Sequence, residues 1–283
     1  MRKWIKNPLA ILADNAAGGL VIEDGVIAEC LPSGATPATP CEETVDASDY
    51  VVLPGLINTH HHFYQTLTRA YGPALDKELF DWLKTLYPVW AGLTPDYLHV
   101  ATRLALAELL LSGCTTAADH HYVFPEGLED GVDIQADAAR ELGIRVTLTR
   151  GSMNLSVKDG GVPPASVVQD ADTILADSAR VIDAFHDPSA GSMLQIALAP
   201  CSPFSVTREI MVDTAALAVE KGVPPHTHLA ETEDENTFCM EMFGCRPLEY
   251  LEQLGWLSDR SGWRTAFISV KTKSTAWERR GRG

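Results

Sequence analysis

The sequence predicts an α/β fold in which parallel strands and helices form part of a (β/α) barrel, preceded by a short β unit. From residue 51 onwards, apolar strand-like segments alternate with helical segments, and this alternation is typical of a parallel sheet. Polar residues that can bind a metal recur where five of these apolar segments end, and barrels place their chemistry at the carboxyl ends of strands. A closed barrel has eight strands, so the predicted barrel is incomplete, with about five.

Composition limits the class of protein before any motif is considered. A chain of 283 residues, 46% hydrophobic and 21% charged, is typical of a globular domain with or without a small companion. The net charge of −16 argues against nucleic acid or an anionic membrane surface as a partner. Six scattered cysteines and the absence of a signal-peptide pattern indicate reduced thiols in a cytoplasmic protein. A homo-oligomer remains open.

Residues 1–52 predict a small β unit. Asp24-Gly25 is a strong turn signal between two short apolar segments, which predicts a hairpin. Such a unit is too short to bury a core alone and needs a partner. We therefore place a first domain at 1–52 and the partial barrel at 53–260.

The first barrel strand is predicted at residues 51–57, as a buried strand that ends just before three histidines. Side chains two apart on a strand point to the same side, so His60 and His62 should converge while His61 faces away. Two converging imidazoles can hold a divalent metal, usually zinc. A His-x-His tripeptide is also common without a metal, so the remaining sequence must decide.

Four further strands and the helices between them follow from apolar periodicity and from cap residues. Thr94-Pro95-Asp96 is typical of a helix start, and glycines 113, 143 and 222 predict helix ends. The proline pair 224–225 suits a central strand poorly. The predicted strands are 114–119, 144–149, 194–199 and 225–229. The predicted helices are 76–86, 94–112, 133–142, 165–185, 208–221 and 246–254.

The predicted strand ends carry further candidate site residues. Arg150 could bind a carbonyl or ring nitrogen of a heterocycle, or could pair with a neighbouring strand-end acid, and both interpretations stay open. For His120 and His121, beside Asp119, a structural or supporting role is favoured over metal ligation. Cys201 is interpreted as a small buried side chain, with a pocket wall as the alternative.

The segment HTHLAET ends the fifth predicted strand. A metal-bound histidine followed three residues later by Glu231 would suit hydrolysis, because the carboxylate can transfer a proton to a leaving amine. The alternative is that Glu231 belongs to an acidic run that favours a helix N-terminus. His226 and His228 face the same side, so spacing alone cannot choose between them.

These motifs resemble one family. PGLINTHHH, SGCTTAADHH, TLTRGSMN, APCSPFS and HTHLAET together resemble the amidohydrolase superfamily, in its branch of cytosine, guanine and S-adenosylhomocysteine deaminases and chlorohydrolases. The resemblance implies a TIM-barrel metal-dependent hydrolase fold with a small β-sandwich assembled from both chain ends. The implied reaction is hydrolytic deamination of a small purine-like heterocycle with release of ammonia. A related chlorohydrolase or alkylaminohydrolase is the alternative.

The same resemblance implies roles for individual residues. It assigns one Zn²⁺ per subunit, with Fe²⁺ as an alternative, to His60, His62 and His228, and the proton transfer to Glu231. The residues that would face the heterocycle by analogy are Gln65, Tyr122, Arg150 and Cys201.

The sequence departs from the family pattern after His228. The family has a further histidine after strand six and an aspartate that ends strand eight, whereas no histidine follows His228 here. Residues 257–283 carry seven Lys and Arg against two Asp and Glu, and we expect a basic tail outside the family at 261–283. Our hypotheses are a frameshift that truncated a longer enzyme or, alternatively, a genuine short variant. The competing function is an inactive fragment.

Overall fold

The structure, a computed structural model, describes residues 1–257 and the backbone of 267–269. The chain divides into two compact units, of which the first is Met1–Leu56 and the second begins at Ile57. This division lies a few residues after the proposed boundary at 52/53. Apart from the backbone of Phe267–Ser269, the basic tail proposed for 261–283 lies outside the described residues.

The first unit consists of short strands. A four-stranded sheet has the order β4-β3-β1-β5, and β2 pairs with β6 in parallel. The hairpin of β3 and β4 confirms the predicted turn: Asp24 and Gly25 both have positive φ, 48° and 82°, as a two-residue hairpin turn requires. The strands are β1 (Arg2–Lys6), β2 (Ala10–Ile11), β3 (Gly19–Glu23), β4 (Val26–Leu31), β5 (Glu43–Asp46) and β6 (Val51–Val52).

The strands of the second unit lie side by side in chain order, as in a (β/α) barrel. One sheet has the order β10-β9-β8-β7, with β9 parallel to both β8 and β10. A parallel bridge from Leu198 to Pro225 continues this order to β11, which pairs with β12. The strands are β7 (Leu56–His61), β8 (Cys114–Asp119), β9 (Arg145–Ser152), β10 (Leu194–Pro200), β11 (His226–His228) and β12 (Phe267–Ser269).

The first barrel strand differs from its prediction in position and in burial. The chain forms β6 at Val51–Val52, breaks around Pro54, and enters β7 only at Leu56, so β7 runs through His61. Proline lacks the backbone N–H that a ladder needs, which accounts for the break. The predicted burial is wrong, since Ile57 is 68% exposed. Among the described strands β7 lies at the end of its sheet.

The helices follow their sequence signals closely. The Thr94 hydroxyl accepts the Tyr97 N–H and caps α2, and Gly143 and Gly222 end α3 and α5 with positive φ, all as predicted. The helix predicted at 165–185 begins later, because Asp170 caps it. The helices are α1 (Leu79–Trp90), α2 (Pro95–Leu111), α3 (Gly131–Leu142), α4 (Ala171–Phe185), α5 (Arg208–Lys221), α6 (Glu233–Phe243) and α7 (Pro247–Gln253).

Helices α2 to α5 pack against the strands of the parallel sheet. Leu106, Val146, Ile196 and Val181 belong to one buried apolar cluster between these layers. The strands that carry the candidate site residues therefore belong to a closely packed core, which restricts their movement. In the described part of the chain, we find no helix with the length and apolar character that a bilayer crossing requires.

Candidate metal centre

The carboxyl ends of the strands bring together the three histidines that the sequence analysis put forward as ligands. His60 lies in β7, His62 follows that strand, and His228 ends β11. One ring nitrogen from each lies within 4.8 Å of those of the other two. The fold thus joins residues separated by more than 160 positions in the sequence. We call His60, His62 and His228 the first histidine set.

Backbone carbonyls fix the ring orientation of two of these histidines. His62 Nδ1 lies 2.7 Å from the His120 carbonyl oxygen, and His228 Nδ1 lies 2.9 Å from the Cys201 carbonyl oxygen. A carbonyl oxygen can only accept, so the hydrogen-bond network assigns a proton to each Nδ1. Each Nε2 then carries a lone pair. Metal-binding histidines are oriented in this way, with the second nitrogen donating to a carbonyl or carboxylate.

The two Nε2 lone pairs converge. His62 Nε2 and His228 Nε2 lie 3.2 Å apart. Two nitrogens bound to a tetrahedral zinc at about 2.05 Å would be separated by about 3.3 Å, so the observed distance suits a shared cation. Burial, and then the charges that His228 and His60 would carry, lower the pKa of His62 well below its ordinary value. The neutral ring keeps its lone pair, and the residues present fit a divalent metal.

Two more histidines adjoin this group. His120, directly after β8, stacks on His228 with ring centroids 4.2 Å apart. His226 Nε2 lies 3.3 Å from His60 Nδ1. His60, His120 and His226 also place one ring nitrogen each within 4.8 Å of one another, and we call them the second histidine set. Spacing left open the choice between His226 and His228, and the structure places each of them in a different set.

Glu231 lies in the loop between β11 and α6, which is held by a second carboxylate. Its backbone N–H donates to Glu235 Oε2 at 2.8 Å, and Ala230 before it has a positive φ of 54°. Glu235 is fully buried, and burial raises its pKa to about 7. In the sequence, Glu235 is one of several acids that favour a helix N-terminus, and this role was therefore not predicted. Its spacing of four from Glu231 was the available signal.

Three of the proposed substrate-facing residues lie close to the histidines. The Tyr122 ring centroid lies 5.5 Å from that of His62, and Cys201 Sγ lies 3.9 Å from His228 Nδ1. Gln65 donates to the Tyr64 hydroxyl at 3.1 Å. Burial raises the pKa of the Cys201 thiol to about 12, so it is a neutral side chain rather than a nucleophile.

Arg150, the fourth proposed substrate-facing residue, makes its hydrogen bonds to other parts of the protein rather than to the histidines. Its side chain is buried, its Nε donates to Asp177 Oδ2 at 2.5 Å, and a terminal nitrogen donates to Gln169 Oε1 at 2.8 Å. A further donor reaches the Gly151 carbonyl, and the guanidinium lies 4.1 Å from the Phe124 ring centroid. The ion pair left open in the sequence analysis is present, although its acid comes from helix α4 rather than from a strand end. These contacts do not favour a substrate contact.

Asp119, the last residue of β8, connects the segment after β7 with helix α3. Its carboxylate accepts the Phe63 N–H at 2.6 Å and the Gln135 side-chain amide at 2.6 Å, and burial raises its pKa to about 7. On the other side, Gly151 of β9 donates to the His121 carbonyl at 2.9 Å, and a Cβ there would lie 2.1 Å from that oxygen. These contacts position the segment that carries His120 and Tyr122.

With this fold and site, the chain belongs to the amidohydrolase family, whose model matches residues 51–274. It is 62% identical to the 8-oxoguanine deaminase of Pseudomonas aeruginosa over 92% of this chain and 59% of that protein. It is 39% identical to the hydroxydechloroatrazine ethylaminohydrolase of Pseudomonas sp. (strain ADP), over 76% of this chain and 45% of that protein.

Solved structures agree on the fold. The structure resembles that of the atrazine chlorohydrolase from Arthrobacter aurescens TC1 in complex with zinc, with a TM-score of 0.86 and 27% identity. The match covers 98% of this chain and 62% of that one. The chain therefore spans between about half and three fifths of the length of the relatives described here.

Proposed function

We propose that this chain carries the metal-binding part of a hydrolytic deaminase that acts on a purine-like heterocycle, with 8-oxoguanine as its substrate. The observation that carries the proposal is the pair of His62 and His228 Nε2 atoms 3.2 Å apart, each oriented by a backbone carbonyl. The 62% identity to an 8-oxoguanine deaminase supports the reaction and the substrate.

The first histidine set would hold the metal, with Zn²⁺ as our first choice and Fe²⁺ as the alternative. Three imidazoles are a usual ligand set for catalytic zinc, and the chlorohydrolase structure with a similar fold contains zinc. When bound, such a metal supplies Lewis acidity and lowers the pKa of a coordinated water towards 7.

The chain's own residues would move the proton and position the ring. Glu231 follows His228 by three residues in a loop held by Glu235, which suits a carboxylate that accepts a proton from water and donates it to the leaving amine. Tyr122 and Cys201 lie beside the histidines and would contact the heterocycle, and Gln65, which donates to the Tyr64 hydroxyl, is the third candidate contact. Ammonia is then the leaving group.

A second candidate is an alkylaminohydrolase of the hydroxyatrazine type. The 39% identity to an ethylaminohydrolase favours it, and the same site would serve because only the amine that leaves differs. A small heterocyclic substrate fits both candidates. A cytoplasmic location is part of the proposal as well, supported by six cysteines that are all free thiols.

Ammonia release from 8-oxoguanine and ethylamine release from hydroxyatrazine test the two candidates side by side, using the zinc-loaded chain. Glu231→Gln should lower turnover by about 10²–10⁴-fold, because it removes the proton transfer. The matched control is Glu233→Gln, an exposed acid at the start of α6, which should leave turnover unchanged. Metal binding without turnover of either compound would favour the inactive fragment over both candidates.

A further inference from the structure

A buried histidine of the second set has no hydrogen-bond partner. The His120 side chain is fully buried, and neither Nδ1 nor Nε2 has a partner. A buried polar group without a partner costs about 1–3 kcal/mol, so its presence calls for an explanation. His121 is equally buried, but among the described residues it belongs to no group of converging metal-binding atoms.

The neighbours of His120 make a metal the natural partner. His60 lies in β7, His120 directly follows β8 and His226 begins β11, and each places one ring nitrogen within 4.8 Å of those of the other two. His60 Nδ1 and His226 Nε2 are 3.3 Å apart, close to the separation of about 3.3 Å expected for two nitrogens on one tetrahedral zinc. The His120 ring meets the His226 ring nearly edge-on, at 76° and 4.5 Å.

We propose that the second histidine set is an additional position for a divalent cation, alternative to the first set. His60 belongs to both sets, and neither contains a carboxylate that could bridge and neutralise two ions. Two dications held this close would repel strongly, so one ion at a time occupies one set or the other. The second position would use neither His62 nor His228, and it would compete with the first for the same ion.

A double-mutant cycle in cobalt binding tests this proposal. The metal-free chain, His62→Gln, His120→Gln and the variant with both changes are titrated with Co²⁺ and followed by visible absorption. His62→Gln removes a ring from the first set only, and His120→Gln from the second set only. Each single variant should bind one Co²⁺ within about tenfold of the unmodified chain, and the double variant should lose about 100-fold.

Other outcomes overturn the proposal. If His62→Gln alone loses cobalt and His120→Gln adds nothing, only the first set binds a metal. Saturation of the unmodified chain at two Co²⁺ would refute the exclusive occupancy. Far-UV circular dichroism of the metal-free variants controls for folding, and His228→Gln replaces His62→Gln if the latter does not fold. The cycle is read without turnover, so a failure of the proposed deaminase activity does not affect it.

Discussion

Arg150 and the first histidine set both lie towards the carboxyl ends of strands, and their hydrogen bonds differ. Arg150 is surrounded by acceptors: Asp177, Gln169 and a backbone carbonyl. The Nε2 atoms of His62 and His228 instead face one another at 3.2 Å. His228 is as buried as Arg150, so burial alone does not distinguish a structural polar group from a metal ligand. A buried side chain whose donors all reach acceptors within the protein stabilises the fold. Ring nitrogens whose lone pairs face one another are instead suited to binding a cation.

The largest expected effect comes from the histidine that both sets share. His60→Ala should lower zinc affinity by at least about 10³-fold, since it removes a ligand from each set. His99→Ala, on the partly exposed face of α2, is the matched control and should leave affinity unchanged. Competition with a chromophoric chelator measures both. Equal affinities for the two variants would mean that the converging histidines do not form the metal site.

Arg150→Met tests the other side of the comparison. It should lower the free energy of unfolding by about 1.5–3 kcal/mol, because it removes the buried guanidinium that donates to Asp177, while Arg180 still pairs with that carboxylate. Zinc affinity should stay the same. Urea unfolding together with the chelator competition gives both quantities. A variant of normal stability that loses turnover would instead assign Arg150 to the substrate.

Glu235→Gln should change how stability depends on pH. Burial raises the pKa of Glu235 from its ordinary value to about 7, so the folded state favours the protonated carboxyl. The unfolded state ionises first, and the native chain therefore loses stability as pH rises from about 4.5 to 7, by about 1–3 kcal/mol. Glutamine keeps an acceptor for the Glu231 N–H without a charge. Thermal midpoints at pH 5 and pH 8 should favour Glu235→Gln more at pH 8.

A pH-independent difference between Glu235→Gln and the unmodified chain would show that Glu235 is not held in this protonation state. Glu233→Gln serves as the control, because its exposed side chain should follow the unmodified chain at both pH values.

The smallest expected effect is an increase in the stability of the metal-free chain. His120→Leu should stabilise the metal-free chain by about 1 kcal/mol, because it removes two buried nitrogens that have no partner. The same change in the His62→Gln background should abolish the stabilisation that Co²⁺ gives. If His120→Leu instead destabilises the metal-free chain, the His120 nitrogens form hydrogen bonds in solution.

Much of this fold was predictable because its signals are local. Thr94 caps its helix and Gly143 and Gly222 end theirs, and apolar runs mark strands β8 to β10. The first barrel strand was mispredicted because Pro54 splits an apolar run into two short strands, of which the second extends through His61.

The site was predictable only in part. His60 and His62 followed from the two-residue period of a strand. The hydrogen bonds that orient the rings could not be predicted, because the carbonyls that His62 and His228 contact follow other strands. The Asp177 partner of Arg150 lies 27 residues away on a helix, so a strand-end position alone favoured a substrate role and a structural role equally.

The most direct test of the account is the metal content and ligand set of this 283-residue chain. The chain is stripped of metal, shown to be folded, reloaded with zinc and dialysed. Zinc is then quantified by mass spectrometry, and its neighbours are identified by X-ray absorption. The account predicts about one zinc per chain, with three imidazole nitrogens at about 2.0–2.1 Å. A folded chain that retains no zinc, or zinc bound without histidine, would contradict it.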